Sequence, residues 1–299
     1  VMAFLMLTMI SIMLPRAGVA ADRIDEVLKT EVSVNNSTDA VDAGRSKGVV
    51  RFNHVSFAYP EAEGKVLDDI DFEASPGTTT AIIGSTGCGK STLVNLIPRF
   101  FDVTEGSITL DGRDIRNITL ESLRENIGYV PQKGILFSGT IADNIKYGQL
   151  VESDEDMLEA AEIAQATEFI EAKPDKYESQ VAQGGNNVSG GQKQRLSIAR
   201  AIARDPMIYI FDDSFSALDF KTDAALRKAL APKVKDKTVL IVAQRISTVM
   251  HAEQIIVLDD GKVAGIGTHK ELMENCEIYR QIAGSQLSES ELKKSLEVK

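Results

Sequence analysis

Apolar and polar positions divide this chain into unlike stretches. Residues 1–15, VMAFLMLTMISIMLP, carry no charge and are apolar almost throughout. The run is shorter than the roughly 20 residues of a full membrane span. It reads as the end of a transmembrane helix cut by a fragment boundary. A secretory signal is a second reading, without the basic start and small-residue cleavage site such a signal carries. A buried soluble helix with a Met-rich face is a third. Arg16, Arg23 and Lys29 follow, as where a helix emerges on the cytoplasmic side. Ile24, Val27 and Leu28 at i, i+3 and i+4 carry the helix through residue 32. Residues 33–48, SVNNSTDAVDAGRSKG, lose that periodicity and predict a linker.

From Val49 the pattern is that of an α/β domain. Residues 49–57 and 66–74 alternate apolar with polar, predicting half-exposed strands. Residues 78–84 and 107–112 predict further strands, and 91–101 a helix kinked at Pro98. Residues 153–166 open on a Ser-x-x-Asp capping box and predict a helix, as do 192–203. MIYIFDD (207–213) and TVLIVAQ (238–244) have the apolar composition of buried parallel strands. Residues 254–267 predict a hairpin turning at Asp260-Gly261. Such alternation implies a doubly wound sheet, with ligands at the carboxyl ends of its strands.

Composition narrows the classes. The chain has 299 residues, 43% hydrophobic and 26% charged, which is ordinary globular usage. A net charge of −11 argues against nucleic acid as a partner held by an overall cationic surface. Two cysteines make no disulfide framework, and the three histidines, His54, His251 and His269, lack metal-ligand spacing.

The chemistry sits in GSTGCGKS, Gly84 to Ser91, which fits G-x-x-x-x-G-K-[ST] between a predicted strand and a predicted helix. Glycines let backbone N–H groups face phosphate oxygens, and a helix N-terminus adds partial positive charge. The segment Gly84, Ser85, Thr86, Gly87, Cys88, Gly89, Lys90, Ser91 and Thr92 is therefore the candidate phosphate cradle. Lys90 is placed to reach the β- and γ-phosphates and Ser91 to bind Mg²⁺. Asp212, ending the strand IYIFD, is the second Mg²⁺ candidate.

Phosphate loops serve many classes, and further motifs discriminate among them. Val188-Ser189-Gly190-Gly191-Gln192, just before a predicted helix, resembles the signature of the ATP-binding-cassette family. The resemblance covers residues 49 to about 285. It implies a P-loop NTPase core of RecA type, with an antiparallel β subdomain and an inserted α-helical subdomain over about 133–203. It also implies that Tyr59 stacks on adenine and that Gln132 senses Mg²⁺ and the γ-phosphate. Ser216-Ala217-Leu218-Asp219 matches the loop that crosses the dimer interface. In that family ATP is sandwiched between two chains. Ser189, Gly190, Gly191 and Gln192 would then complete a partner's site.

Two positions depart from the family's pattern. Asp213 stands where glutamate usually orients the attacking water, and Gln244 where histidine usually holds the γ-phosphate. Gln183 replaces a common glutamate ahead of the signature. The resemblance thus implies an exporter's ATPase motor whose own site, with Asp213, Gln244 and Gln132 as its catalytic groups, turns over slowly. Its partners would be its own transmembrane domain and a second half-transporter in a heterodimer. It would reside in the cell membrane with the ATP-binding domain on the cytoplasmic face. Alternatives are a homodimer with two slow sites, or a nucleotide-binding subunit that regulates without hydrolysis. The expected division is 1–32 helix and extension, 33–48 linker, 49–285 nucleotide-binding domain and 286–299 a frayed helical tail.

Overall fold

The uncharged N-terminal run forms one helix, α1 (Met2–Lys29), in the computed structural model, which describes residues 1–60, 62–149 and 153–297. Its 28 residues span about 42 Å at 1.5 Å per residue. By length and composition it can cross a membrane, and none of its residues is buried. Thr8 and Ser11 donate their hydroxyls to the carbonyls of Phe4 and Leu7, so these polar groups are satisfied within the helix. The chain divides into two units, Val1–Asn35 and Asn36–Lys299.

The stretch expected as a linker is anchored from Asn36 onward. Leu120 N donates to Asn36 Oδ1, Val41 bridges to Ile118, and Ser122 Oγ donates to Asp42 Oδ1 at 2.6 Å. Asn126 completes the attachment: its Oδ1 accepts from Ser46 N and its Nδ2 donates to Gly44 O. The polar residues that erase apolar periodicity here are the ones that hold the strap down.

In chain order the second unit begins with β1 (Val50–Phe57), β2 (Leu67–Ala74), β3 (Thr79–Gly84) and α2 (Lys90–Leu96). There follow β4 (Glu105–Leu110), β5 (Arg113–Asp114), α3 (Leu120–Glu125) and β6 (Ile127–Val130). The helix expected over 91–101 is not kinked at Pro98 but ends at Leu96. Pro98 carries no N–H to continue the ladder, and Arg99 takes a positive φ of 54°. Next come β7 (Gly139–Thr140), α4 (Ile141–Lys146), α5 (Asp154–Ile163), α6 (Thr167–Glu171), β8 (Gln180–Val181) and α7 (Gly190–Ala203). Ser153 caps α5 by accepting from Asp156 N, as its spacing predicts.

The remainder is β9 (Ile208–Asp212), α8 (Phe220–Lys233), β10 (Thr238–Val242), α9 (Ile246–Val249), β11 (Gln254–Asp259), β12 (Lys262–Gly267), α10 (His269–Asn275), α11 (Glu277–Gln286) and α12 (Glu289–Glu297). The tail expected to fray is helical through Glu297; Val298 and Lys299 lie outside the described residues. Ser288 caps α12 by accepting from Glu291 N, Leu292 packs on the core, and Ser295 bonds His269.

Two sheets organise the unit. One is antiparallel in the order β2-β1-β4-β5, and the other runs β12-β11-β3-β10-β9-β6. In the second, β11, β3, β10, β9 and β6 are parallel and β12 is an antiparallel edge. Alternation along its buried strands feeds two cores. Ile82, Ile208, Ile210, Leu240 and Val242 join the antiparallel sheet, while Ala81, Ile83, Tyr209, Phe211 and Ile241 join α4–α11. This is the mixed α/β P-loop architecture, with the carboxyl ends of β3, β9 and β10 side by side.

Candidate functional site

The loop leaving β3 turns sharply because of its glycines. A Cβ on Gly84 would lie 2.1 Å from Leu258 O, and Gly89, at φ +97°, holds the N-cap of α2. Ser85, Thr86 and Gly87 are exposed, whereas Cys88, Gly89, Lys90 and Thr92 are buried. Lys90 Nζ donates to Gly84 O at 2.9 Å and Ser85 O at 2.5 Å, and contacts Cys88 Sγ at 3.7 Å. It is 8% exposed and makes no ion pair among the described residues. A buried ammonium bonded to two carbonyls and a thiol, beside the exposed loop residues Ser85, Thr86 and Gly87, is a cradle suited to an anion.

Strand β9 delivers the acids. Ser91 Oγ donates to Asp212 Oδ1 at 2.9 Å, joining a hydroxyl and a carboxylate whose hard oxygens suit Mg²⁺. Burial raises the Asp212 pKa. The Ser91 hydrogen bond opposes that shift, and the Asp213 charge adds to it. Tyr129 OH donates to Asn95 Oδ1 at 2.8 Å and lies 3.5 Å from Asp212 Oδ2. Burial, chiefly, and the Asp212 charge push that phenol above its usual range.

Asp213 gathers three of the singled-out residues. Its Oδ2 accepts from Gln132 Nε2 at 3.2 Å and from Gln244 Nε2 at 3.0 Å. The residue is 8% exposed, sits at φ 46°, and its own N–H donates to Val242 O. A buried carboxylate is here held by two neutral amides. A cleft of about 220 Å³ is lined by Thr86, Gly87, Gly89 to Thr92, Gln132, Asp212, Asp213 and Gln244.

Some expected residues do not line this cleft. Tyr59 is half-buried, its OH 3.0 Å from Thr92 Oγ1 and its ring edge-on to Phe57 and Phe101. Ser189, Gly190, Gly191 and Gln192 do not line it. Ser189 caps α7 reciprocally with Gln192: Ser189 Oγ accepts from Gln192 N, and Gln192 Oε1 accepts from Ser189 N. Gly191 borders the 216–219 loop, where a Cβ would meet Ala217 O at 3.5 Å. Ser189 and Gly190 are exposed at this helix start.

Several supporting residues carry no sequence signal. Ser214 Oγ donates to Val130 O, tying β9 to the start of the Gln132 loop. Gln194, on α7, accepts from Gly134 N and donates to Pro131 O, bracketing that loop. Gln286 brackets the loop of Gln244 in the same way. Each is one amide among many in the sequence. Only the pairing of distant segments distinguishes it.

Comparison with known proteins adds the following. A family model described as ABC transporter matches residues 67–216. An uncharacterised ABC transporter ATP-binding protein of Mycobacterium bovis is 49% identical over 294 residues, 95% of this chain and 49% of the relative. A beta-(1→2)glucan export ATP-binding/permease protein of Rhodopseudomonas palustris is 44% identical, across 90% of this chain and 45% of its own length. The solved structure of a bacterial Atm1-family ABC exporter with ATP bound superposes with a TM-score of 0.87 at 33% identity. It covers 95% of this chain and 50% of that one. The chain therefore spans about half the length of the curated relatives it matches.

Proposed function

The chain belongs to the ABC transporter family as its ATP-binding domain, and from that premise we propose that it is the motor of a membrane exporter whose own ATP site is degenerate. ATP with Mg²⁺ is the nucleotide of this domain. The residues present fit both, since Lys90 is a buried cation that makes no ion pair among the described residues and Ser91 and Asp212 supply oxygen ligands. Gly84 to Thr92 would hold the phosphates, Tyr59 the base, and Ser91, Gln132 and Asp212 the metal. Bound Mg²⁺ would neutralise charge on the β- and γ-phosphates.

The protein's own groups then divide the work. Asp213 would orient water beyond the γ-phosphate, and Gln244 would contact that phosphate. Each is the weaker version of its kind. The Asp213 carboxylate is one methylene short, and a neutral amide cannot lend positive charge to the transferring group. The observation that carries the reading is the shared acceptor: Gln132 and Gln244 both bond Asp213 Oδ2, so the two departures touch. A shared relaxation of demand on this site accounts for both changes at once.

Ser189 to Gln192 form a reciprocally capped helix start and do not line the cleft. They would complete the site of a second half-transporter, a different chain whose phosphate loop hydrolyses ATP. Closure of the two ATP-binding domains would pull on the membrane helices, of which α1 would be the last. The domain division then becomes 1–35 for the helix and its extension, 36–48 for a docked strap, and the remainder for the ATP-binding domain, with α4–α7 as its helical part. The export activity named for the relatives comes to this chain as part of the same proposal. The experiment is expression of the full-length gene product alone. Slow or negligible ATP hydrolysis, restored by co-expression with a second half-transporter, is expected. A dimer of this chain alone that hydrolyses ATP at tens per second would refute the degenerate-site reading.

A further inference from the structure

The loop of Gln244 is short of backbone partners. Strand β10 ends at Val242, α9 starts at Ile246, and between them Ala243 N donates to Ile82 O. Arg245 O accepts from Thr248 N at 3.1 Å, and among the described residues the Gln244 carbonyl and the Ile246 N–H are bonded by one side chain. Gln286 Nε2 donates to Gln244 O at 2.8 Å, and Gln286 Oε1 accepts from Ile246 N at 2.9 Å. A single carboxamide therefore satisfies a carbonyl on one side of Arg245 and an N–H on the other. It stands in for the peptide group of a neighbouring strand.

The clip stands on a fixed base. Gln286 is the last residue of α11, and Leu287 N closes that helix on Ala283 O. Ala283 and Tyr279 of the same helix are fully buried, and Tyr279 OH is 2.8 Å from His269 Nδ1 on α10. On the far side, Gln244 Nε2 reaches Asp213. A continuous chain of contacts thus runs from the C-terminal helices through Gln286 to the carboxylate in the cleft. A cavity of about 430 Å³ behind the loop is lined by Asp213, Gln244, Arg245, Thr248 and Gln286. Without the clip the loop has open space into which to relax.

We propose that Gln286 is the positioning residue for the Gln244 loop, holding residue 244 at the γ-phosphate end of the cleft so that the C-terminal helix α11 sets the geometry of hydrolysis. This rests on the proposed role of Gln244. The clip grips backbone atoms, so it persists whatever side chain stands at 244. That allows a test in the full-length transporter with its partner, in both the wild type and an Asp213→Glu/Gln244→His background.

Gln286→Leu removes both bonds at similar size, and Gln286→Glu keeps the acceptor for Ile246 N. Hydrogen exchange over residues 243–249 should quicken about tenfold in Gln286→Leu, which is about 1.4 kcal/mol of local hydrogen bonding lost. The kcat of this site should fall about tenfold, as for a catalytic group displaced by a fraction of an ångström. KM for ATP should stay within twofold, and Gln286→Glu should lose less than Gln286→Leu. Unchanged exchange would overturn the clip. Faster exchange with unchanged kcat would overturn its positioning role. A loss of ATP binding equal to the loss of kcat would show support of the whole domain instead. Failure of the site reading shows separately: Asp213→Glu/Gln244→His then gains no activity over wild type, while loop exchange still responds to Gln286→Leu.

Discussion

Replacing Asp213 by Glu and Gln244 by His together should raise ATP turnover at this chain's own phosphate loop by about a hundredfold. The two side chains are bonded to each other at 3.0 Å, and Gln132 shares the same carboxylate oxygen. One added methylene advances the carboxylate by about 1.5 Å, the length of a C–C bond. A misplacement of about 1 Å costs about a hundredfold in rate. Supplying positive charge where negative charge develops is worth about a hundredfold or more. The two effects serve one geometry and do not multiply, so the pair is assigned about a hundredfold, or about 2.7 kcal/mol of barrier.

Each single change should give less than about tenfold. Glutamate alone still meets the Gln244 amide, and histidine alone still faces a carboxylate set too far back. Stability should change little, because the cleft beside Asp213 has room for a methylene; overpacking costs about 1 kcal/mol where it occurs. The assay is phosphate release by the full-length transporter in lipid, with trapped nucleotide quantified on this chain to assign the turnover. A double variant that binds ATP normally, stays folded and hydrolyses within threefold of wild type would refute the argument that these two residues limit the site.

Lys90→Ala should abolish binding of a fluorescent ATP analogue to this chain with the fold intact by circular dichroism, since Lys90 is the buried cation of the cradle; retained tight binding would count against the site. Asn126→Ala should destabilise the chain by about 2–4 kcal/mol in urea unfolding with unchanged slope, because it strands the buried Ser46 N–H and frees the strap; a loss under 0.5 kcal/mol would show that the strap is held elsewhere. His269 should make the docking of α12 pH-dependent. Ser295 Oγ donates to Leu292 O, so His269 Nε2 donates to Ser295, and in the neutral ring, which burial favours, Nδ1 accepts from Tyr279 OH. Burial, with His251 nearby, holds the His269 pKa below its ordinary 6.5. Below 6.5 the unfolded chain therefore binds more protons than the folded one, and stability present above that pH is lost as pH falls toward the depressed folded value. Hydrogen exchange of residues 288–297 between pH 7.5 and 5.5 reads it, and His269→Gln should flatten the profile; an identical profile in that variant would dismiss the histidine.

What the sequence made legible follows from how local each signal is. The buried strands β3 and β9 are each a short apolar run leading into chemical residues, so the phosphate-loop motif and the strand pattern place Lys90, Ser91 and Asp212 at one sheet end, while Asp213 stands out only through the family resemblance. The helix after the phosphate loop was read too long because Pro98 allows a kink as well as a stop. The positive φ of Arg99, a tertiary outcome, decided for the stop. The strap at 36–48 and the helix at 289–297 were read as loose because their side chains are polar. In the fold several of those side chains are attachments: Asn36 and Asp42 reach α3, and Ser295 reaches His269, while Ser46 is held through its backbone N–H by Asn126. Polarity in a segment reports that it is not core, which is different from reporting that it is free. The same reasoning separates Asp213 from Gln286. Asp213 adjoins a motif and was singled out at once. Gln286 acts on residues 40 and 42 positions away through backbone atoms, which no side-chain pattern encodes. Positioning groups of this kind are therefore found by asking which donors and acceptors satisfy the loop that carries the chemistry. For the Gln244 loop, the side-chain part of that answer is a single carboxamide at the end of α11.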